Sequence, residues 1–214
     1  PRLSRMSDAF FRAMEASNSK TVPIIPLRNP LDVIESLQAR STWPVSCDRM
    51  DASFLWLSSI LQVEKAARYR PHAFIAYEDL LSQPIEALDR LMAKVDLPEL
   101  RAPETVREEL LEFIDPDLRN QRNRPGDVAL DPELSGWVSD AYSALRRIAS
   151  GIDVEQARAE IDEISVEFIK TLPLLKRSAE SRRKAWGEVT SSKTLRKKYD
   201  KLDATHAQTI EKLK

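Results

Sequence analysis

Apolar positions along the chain recur mainly at the three-to-four-residue spacing of helices, and two short runs break this pattern. The helical spacing predicts helices over residues 3–16, 30–40, 48–70, 84–95, 103–114, 132–148 and 154–172. The exceptions, residues 21–27 and 72–76, are short apolar runs typical of buried strands. No tight hairpin joins them, so we expect a parallel sheet with helical crossovers, which is an α/β fold.

The first apolar run ends in a sequence that predicts a sharp turn from strand to helix. Asn29 is a favoured N-cap residue, Pro30 suits the first helical position and Asp32 suits the first turn. A helix that starts there offers unpaired N–H groups, and Arg28 adds a planar set of donors just before it. Ser36 adds a hydroxyl two turns along. The stretch therefore suits a phosphate dianion.

The order Arg-x-Pro-x-Asp, with a Ser eight residues after the Arg, resembles the 3′-phosphate-binding segment of the sulfotransferase superfamily. Two further stretches agree. Residues 1–5 (P-R-L-S-R) resemble the end of a Lys-Asp-Pro-Arg-Leu segment in bacterial members, and residues 74–81 followed by Pro84 resemble a Tyr-Glu-Asp-Leu strand end. The resemblance covers residues 1–125 and implies an incomplete, parallel-sheet P-loop-like core. It also implies a co-substrate, 3′-phosphoadenosine 5′-phosphosulfate.

The resemblance implies roles for individual residues. In the family, the residues matching Arg28 and Ser36 hold the 3′-phosphate of the co-substrate, and the residue matching Tyr77 lies near the adenine. Arg122 and Arg124 fall where relatives place a basic loop over the same phosphate. An exposed polar loop is the alternative for these two arginines.

Structural roles are the alternative for the residues near the strand ends. Arg28 would then pair with Glu78 or Asp79 across the sheet edge, and Tyr77 would close its strand against the core. For Glu78 and Asp79 we expect structural roles, with Asp79 capping a helix that begins at Leu80.

Composition limits the class of protein. A chain of 214 residues that is 42% hydrophobic and 31% charged can bury one substantial core and carry a polar extension. Four Gly argue against a many-stranded β fold, and no apolar stretch approaches membrane-spanning length. The single Cys47 excludes an internal disulfide, and two His offer no metal set. These features predict a cytoplasmic protein without a metal.

Charge is distributed unevenly. Residues 86–117 hold ten acidic and four basic residues, whereas residues 176–214 hold twelve Lys or Arg and five Asp or Glu. In the tail, alternating steps of four and three residues connect Leu195, Tyr199, Leu202, His206, Thr209 and Leu213, which predicts a coiled-coil seam that its His and Thr make weak. Its lysines alternate with acidic residues and lack spaced aromatics, so a solvated helix face is favoured over nucleic-acid or lipid binding. We expect self-association or a link to further domains through this tail.

The pattern predicts three parts: a partial sulfotransferase-like α/β domain (1–125), its helical C-terminal part (126–177) and a basic helical tail or linker (178–214). No Gly precedes Gly126, so the Gly-containing loop that cradles the 5′-phosphosulfate in the family has no counterpart here. The chain also opens on Pro1 rather than Met. We therefore expect the C-terminal part of a longer enzyme, inactive alone, with no identified catalytic base.

As a full-length protein it would transfer a sulfuryl group to a hydroxyl or amine of a small molecule or carbohydrate. The alternative is a non-catalytic helical module derived from this fold, whose tail assembles into oligomers.

Overall fold

The computed structural model describes residues 2–19, 21–39, 48–95, 104–114 and 123–175, with 177, 178, 180, 181 and 184. The chain divides into two compact units, Pro1–Phe168 and Ile169–Lys214. The boundaries expected near residues 125 and 177 stay predictions. Three predictions lie outside the described residues: those for Arg122, for Cys47 and for the seam from Leu195 to Leu213.

Helices dominate the described chain. They are α1 (Arg2–Ala16), α2 (Pro30–Gln38), α3 (Arg49–Ala67), α4 (Tyr77–Ser82), α5 (Pro84–Val95), α6 (Glu104–Phe113), α7 (Pro125–Leu130), α8 (Gly136–Ser150) and α9 (154–175). The strands are β1 (Ile24–Leu27) and β2 (Ala73–Ala76). None of these helices is both long and apolar enough to cross a bilayer.

The two strands form a small parallel sheet, as the sequence predicts. Leu27, the last residue of β1, lies opposite Ala76, the last residue of β2. The helices α2 and α3 make the crossover between them, which is how parallel neighbours are joined. The residues that follow both strands, Arg28 and Tyr77, therefore emerge at the same carboxyl edge of the sheet.

The core lies around this sheet and its crossover helices. Ile34 and Leu37 of α2 pack against Ala52 of α3, and Ala73 of β2 packs against Leu91 of α5. Each of these five side chains is buried. At ~25 cal/mol per Å², such apolar burial is the main favourable contribution to folding and fixes the helices around the strand ends.

A buried ion pair ties α3 to α9. Arg68 Nη2 donates to Glu64 Oε2 at 2.8 Å, and its Nη1 donates to Asp162 Oδ1 at 2.6 Å. The hydrogen bond from Arg68 to Glu64 raises the pKa of Arg68 further above its ordinary value. Glu64, only 1% exposed, is thus compensated by a cation that stays charged.

Two local predictions are wrong. The helix expected to start at Leu80 starts at Tyr77, so Asp79 lies in its first turn and does not cap it. Acidic residues in a first turn are favoured by the helix dipole, which lets the strand run directly into α4. The second error is an omission: no helix is predicted over residues 125–130, which form α7, and its start is fixed where Arg124 N donates to Asp127 Oδ2 at 2.6 Å.

Candidate functional site

Two of the predicted site residues meet at the carboxyl edge of the sheet. The guanidinium carbon of Arg28 lies 5.3 Å from the centroid of the Tyr77 ring. Parallel register makes these residues neighbours, because each is the first residue after its strand. A cation over an aromatic face is attracted by the ring's negative face. Tyr77 therefore holds the half-buried Arg28 side chain at the edge where α/β proteins bind ligands.

The carboxylates that follow Tyr77, those of Glu78 and Asp79, lie close to Arg146. Arg146 Nη1 lies 3.0 Å from Asp79 Oδ1 and 3.8 Å from Glu78 Oε2, and Arg90 Nη2 lies 3.7 Å from Asp79 Oδ2. Among the described residues no ion pair includes Arg28, and its Nε is buried without an acceptor. The alternative in which Arg28 pairs with Glu78 or Asp79 is therefore not what the structure contains.

The start of α2 is closed by protein groups. Asn29 is the N-cap, as predicted, and its Oδ1 accepts a hydrogen bond from Leu31 N at 2.9 Å. Asn29 N donates to Glu78 Oε1 at 3.1 Å. Asn29 and Asp32 are fully buried. The expectation that these N–H groups are free for a phosphate is wrong, so an anion would have to bind on the Arg28 side.

Ser36 remains near the second turn of the same helix. It is half-buried, and no hydrogen bond among the described residues involves its hydroxyl. Seven residues separate it from Asn29, about 10 Å along the helix axis at ~1.5 Å per residue. A phosphate held by both Ser36 and Arg28 would therefore require the Arg28 side chain to lie along α2.

Hydrogen bonds join the backbone around Arg124 to the start of α2. Asn29 Nδ2 donates to the carbonyl oxygens of Asn123 and Arg124, at 3.3 and 3.1 Å. In return, Asn123 N and Nδ2 donate to Asp32 Oδ1 at 3.1 and 2.9 Å, and Nδ2 also reaches Glu35 Oε1 at 3.1 Å. These bonds hold the Arg124 backbone beside the residue that follows Arg28, while the Arg124 side chain is exposed.

A tryptophan and a tyrosine complete the floor of the site. Trp56 Nε1 donates to the carbonyl oxygen of Arg28 at 3.3 Å, and its ring meets the edge of Tyr142 with centroids 6.2 Å apart. Both side chains are buried. Burial raises the pKa of the Tyr142 phenol well above its ordinary value, and the negative charge of Glu78 raises it further. Tyr142 is thus a neutral donor at neutral pH.

Sequence reasoning missed Asn123, Tyr142 and Arg146, and only one of them carried a local signal. Tyr142 lies on the buried face of α8, whose other buried members are Val138, Ala141, Ala144, Leu145 and Ile148. A tyrosine at such a position places a hydroxyl in an apolar core, and that is a recognisable anomaly. The roles of Asn123 and Arg146 depend on long-range contacts that no local pattern encodes.

A groove of about 600 Å³ lies between α8 and α9 within the first unit. It is lined by Trp137 and Ile164 and by the carboxylates of Asp140, Glu160, Glu163 and Glu167. Across the part of the chain that the structure describes, no group of three or more His, Cys, Asp or Glu side chains is arranged to hold a metal ion. The groove shares no residue with the Arg28 site.

Comparisons with protein-family models, curated proteins and solved structures gave no match for this chain. The sulfotransferase resemblance therefore rests on the sequence motifs at residues 1–5, 28–36 and 74–84 alone.

Proposed function

We propose that this chain carries the 3′-phosphate-binding side of a sulfotransferase-like nucleotide site built on a P-loop-like core. The protein would transfer a sulfuryl group from 3′-phosphoadenosine 5′-phosphosulfate to a hydroxyl or amine of a small molecule or carbohydrate. One observation carries the proposal: Arg28, at the carboxyl edge of a parallel sheet, has no ion-pair partner among the described residues and has a buried Nε without an acceptor.

A cation in this position that has no partner among the described residues is informative, because leaving it unpaired costs free energy. Arg28 is half-buried, and a buried donor without an acceptor loses its hydrogen bonds to water with no replacement, at a cost of about 1–3 kcal/mol. Two carboxylates nearby would remove that cost, yet Arg146 Nη1 donates to Asp79 Oδ1 and lies 3.8 Å from Glu78 Oε2. An arrangement that keeps the nearest carboxylates from Arg28 favours an anion from outside the chain as its partner.

The chain's own groups suit a phosphate with three oxygens. Arg28 would donate two parallel hydrogen bonds from its planar guanidinium, a geometry that matches phosphate better than an ammonium does. Tyr77 contacts Arg28 at the edge of the sheet, and Ser36 would donate one more bond from its hydroxyl to a phosphate that Arg28 reaches by lying along α2. The exposed Arg124 side chain, on a backbone fixed by Asn29, would add positive charge from the opposite side.

The proposal covers the 3′ side of the nucleotide. Sulfuryl transfer breaks the bond from sulfur to the 5′-phosphate oxygen, forms a bond from sulfur to the acceptor and leaves 3′-phosphoadenosine 5′-phosphate. The groups that bear the charge on the 5′ side are not assigned to this chain, in which no Gly precedes Gly126. In this chain, Arg28 and Ser36 would bind and orient the nucleotide, and orientation alone contributes strongly to transfer rates.

Binding of two phosphate isomers tests the proposal. Adenosine 3′-phosphate and adenosine 5′-phosphate have the same composition and charge and differ only in where the phosphate is attached. We expect the protein to bind the 3′ isomer at least ten-fold more tightly in an equilibrium titration, and 3′-phosphoadenosine 5′-phosphate at least as tightly as the 3′ isomer. Equal affinity for the two isomers would refute a site that reads the 3′-phosphate.

A further inference from the structure

A buried hydroxyl next to the Arg28 site has no hydrogen-bond partner among the described residues. The Tyr142 side chain is 3% exposed, and among the described residues its Oη has neither a donor nor an acceptor within hydrogen-bond reach. Tyrosine hydroxyls in protein interiors usually find a partner, because a bond lost to water is otherwise not replaced. Tyr142 therefore indicates an acceptor that is not among the described groups of the chain.

Trp56 connects this hydroxyl to the proposed site. Its indole N–H donates to the Arg28 carbonyl oxygen, and its ring packs against the Tyr142 ring at an interplanar angle of 70°. Arg28 Nε is likewise buried without an acceptor. Trp56 thus contacts the Arg28 backbone and the Tyr142 ring, and both of these residues carry a buried donor that lacks an acceptor among the described residues.

The charges around Tyr142 decide which kind of acceptor fits. The carboxylates of Glu78, Asp32 and Asp79 all act on its phenol, and Arg146 is the cation that opposes them. Three negative groups against one positive group would repel a further anion near the hydroxyl. An uncharged acceptor meets no such repulsion, and the protonated phenol can donate to it.

We propose that Tyr142 Oη donates a hydrogen bond to an uncharged nitrogen or oxygen acceptor of the nucleoside, while Arg28 binds the 3′-phosphate. This inference rests on the proposed function and deepens it, because it assigns a nucleoside-binding residue that lies outside the motifs in the sequence. It also assigns two kinds of recognition to one site: Arg28 would bind the negative charge of the 3′-phosphate, and Tyr142 would hydrogen-bond to the sugar or the base.

Calorimetric titration of Tyr142→Phe tests the inference, with Tyr69→Phe as the matched control at a tyrosine that is 88% exposed. Each protein is titrated with 3′-phosphoadenosine 5′-phosphate and with adenosine 5′-phosphate. We expect Tyr142→Phe to weaken both ligands by the same factor, about three- to ten-fold for one neutral hydrogen bond. Tyr69→Phe should change neither affinity.

Thermal unfolding without ligand distinguishes this inference from a purely structural role of Tyr142, because a structural role predicts a lower unfolding midpoint for Tyr142→Phe. Removing a hydroxyl that has no partner should leave the unfolding midpoint of Tyr142→Phe equal to that of the wild type or higher. A lower midpoint would mean that a protein group already accepts this hydrogen bond, and it would overturn the inference.

The remaining outcomes separate this inference from the proposed function. Unchanged affinities in Tyr142→Phe would overturn the inference alone, and so would a loss confined to 3′-phosphoadenosine 5′-phosphate, because the hydroxyl would then contact the phosphate. A wild type that binds 3′-phosphoadenosine 5′-phosphate no more tightly than adenosine 5′-phosphate would overturn the proposed function instead. A wild type that binds neither nucleotide would overturn both.

Discussion

Arg146 Nη1 on α8 lies 3.0 Å from Asp79 Oδ1 on α4, while Arg28 has no carboxylate partner among the described residues. Glu78 and Asp79 follow Tyr77 directly, and Tyr77 contacts the Arg28 guanidinium, so Arg146 pairs with carboxylates close in sequence to the Arg28 site. An ion pair 67 residues apart in sequence thus affects a site that it does not line. The lack of an ion-pair partner for Arg28 among the described residues thus has a structural explanation that can be tested.

Replacing Arg146 should weaken phosphate binding indirectly. In Arg146→Ala, Glu78 and Asp79 lose their main cation, and we expect Arg28 to turn toward them. The affinity for adenosine 3′-phosphate should then fall about ten-fold, equivalent to ~1.4 kcal/mol. Arg90→Ala removes a longer, more exposed contact to the same Asp79 and should cost less than ~0.5 kcal/mol of binding. Equal effects of the two variants would show that Arg146 has no special role.

Asn29 should be among the residues most sensitive to substitution. Asn29→Ala removes the α2 cap and the donor to the carbonyls of Asn123 and Arg124. We expect a loss of about 2–3 kcal/mol of unfolding free energy in urea denaturation, since the cap contributes ~1 and the buried bonds the remainder. Asn29→Ser retains a capping oxygen and should recover only the cap contribution. Full recovery by Ser would mean that the bonds to residues 123 and 124 contribute nothing.

Tyr142 should make the protein sensitive to alkaline pH. Its folded-state pKa is raised, first by burial and then by Glu78, from an ordinary value of 10.0. Below pH 10 the phenol is protonated in both the folded and the unfolded chain, so it does not change the free energy of unfolding with pH. As the pH rises above 10, the unfolded chain releases the proton while the folded chain retains it, so stability falls by about 1.4 kcal/mol per pH unit.

Chemical denaturation at a series of pH values measures this effect. The difference in unfolding free energy between Tyr142→Phe and wild type should be constant up to about pH 10 and then rise in favour of the variant. Parallel curves across the alkaline range would contradict a raised pKa for this phenol.

Local chemistry explains which parts of the fold could be predicted from sequence. The start of α2 follows from Asn29 and Pro30, because capping depends on adjacent residues. The parallel pairing follows from two short apolar runs joined by helices. The predicted start of α4 is wrong because β2 passes into this helix without a capping side chain. Asp79 is a residue type that favours the N-cap position, so the sequence places the start after it.

The site was predictable only where its residues are close together in sequence. The meeting of Arg28 with Tyr77 could be anticipated, because both follow strands expected to lie side by side. The partners of Glu78 and Asp79 could not, since Arg146 comes from a helix whose packing on β2 is set by the whole core. The same holds for Asn123, whose bonds to Asp32 join it to the first turn of α2 across 91 residues of sequence.

The predicted role of Ser36 can be tested separately from that of Arg28. Ser36→Ala should weaken binding of adenosine 3′-phosphate by about 1 kcal/mol, as expected for one hydrogen bond to a charged group in a partly hydrated site. Adenosine 5′-phosphate should be affected far less. An equal effect on both isomers would mean that the substitution perturbs α2 rather than a phosphate contact.

The most direct test of the central claim is the affinity of Arg28 variants for adenosine 3′-phosphate and adenosine 5′-phosphate, measured by calorimetry. Arg28→Ala should weaken the 3′ isomer by roughly 2–3 kcal/mol, and Arg28→Lys should recover only part of that loss because an ammonium cannot make two parallel bonds. Arg12→Ala, which removes the same charge from the exposed Arg12–Asp8 pair on α1, should change neither affinity. If Arg28→Ala instead weakens both isomers equally, Arg28 supports the fold and does not read the 3′-phosphate.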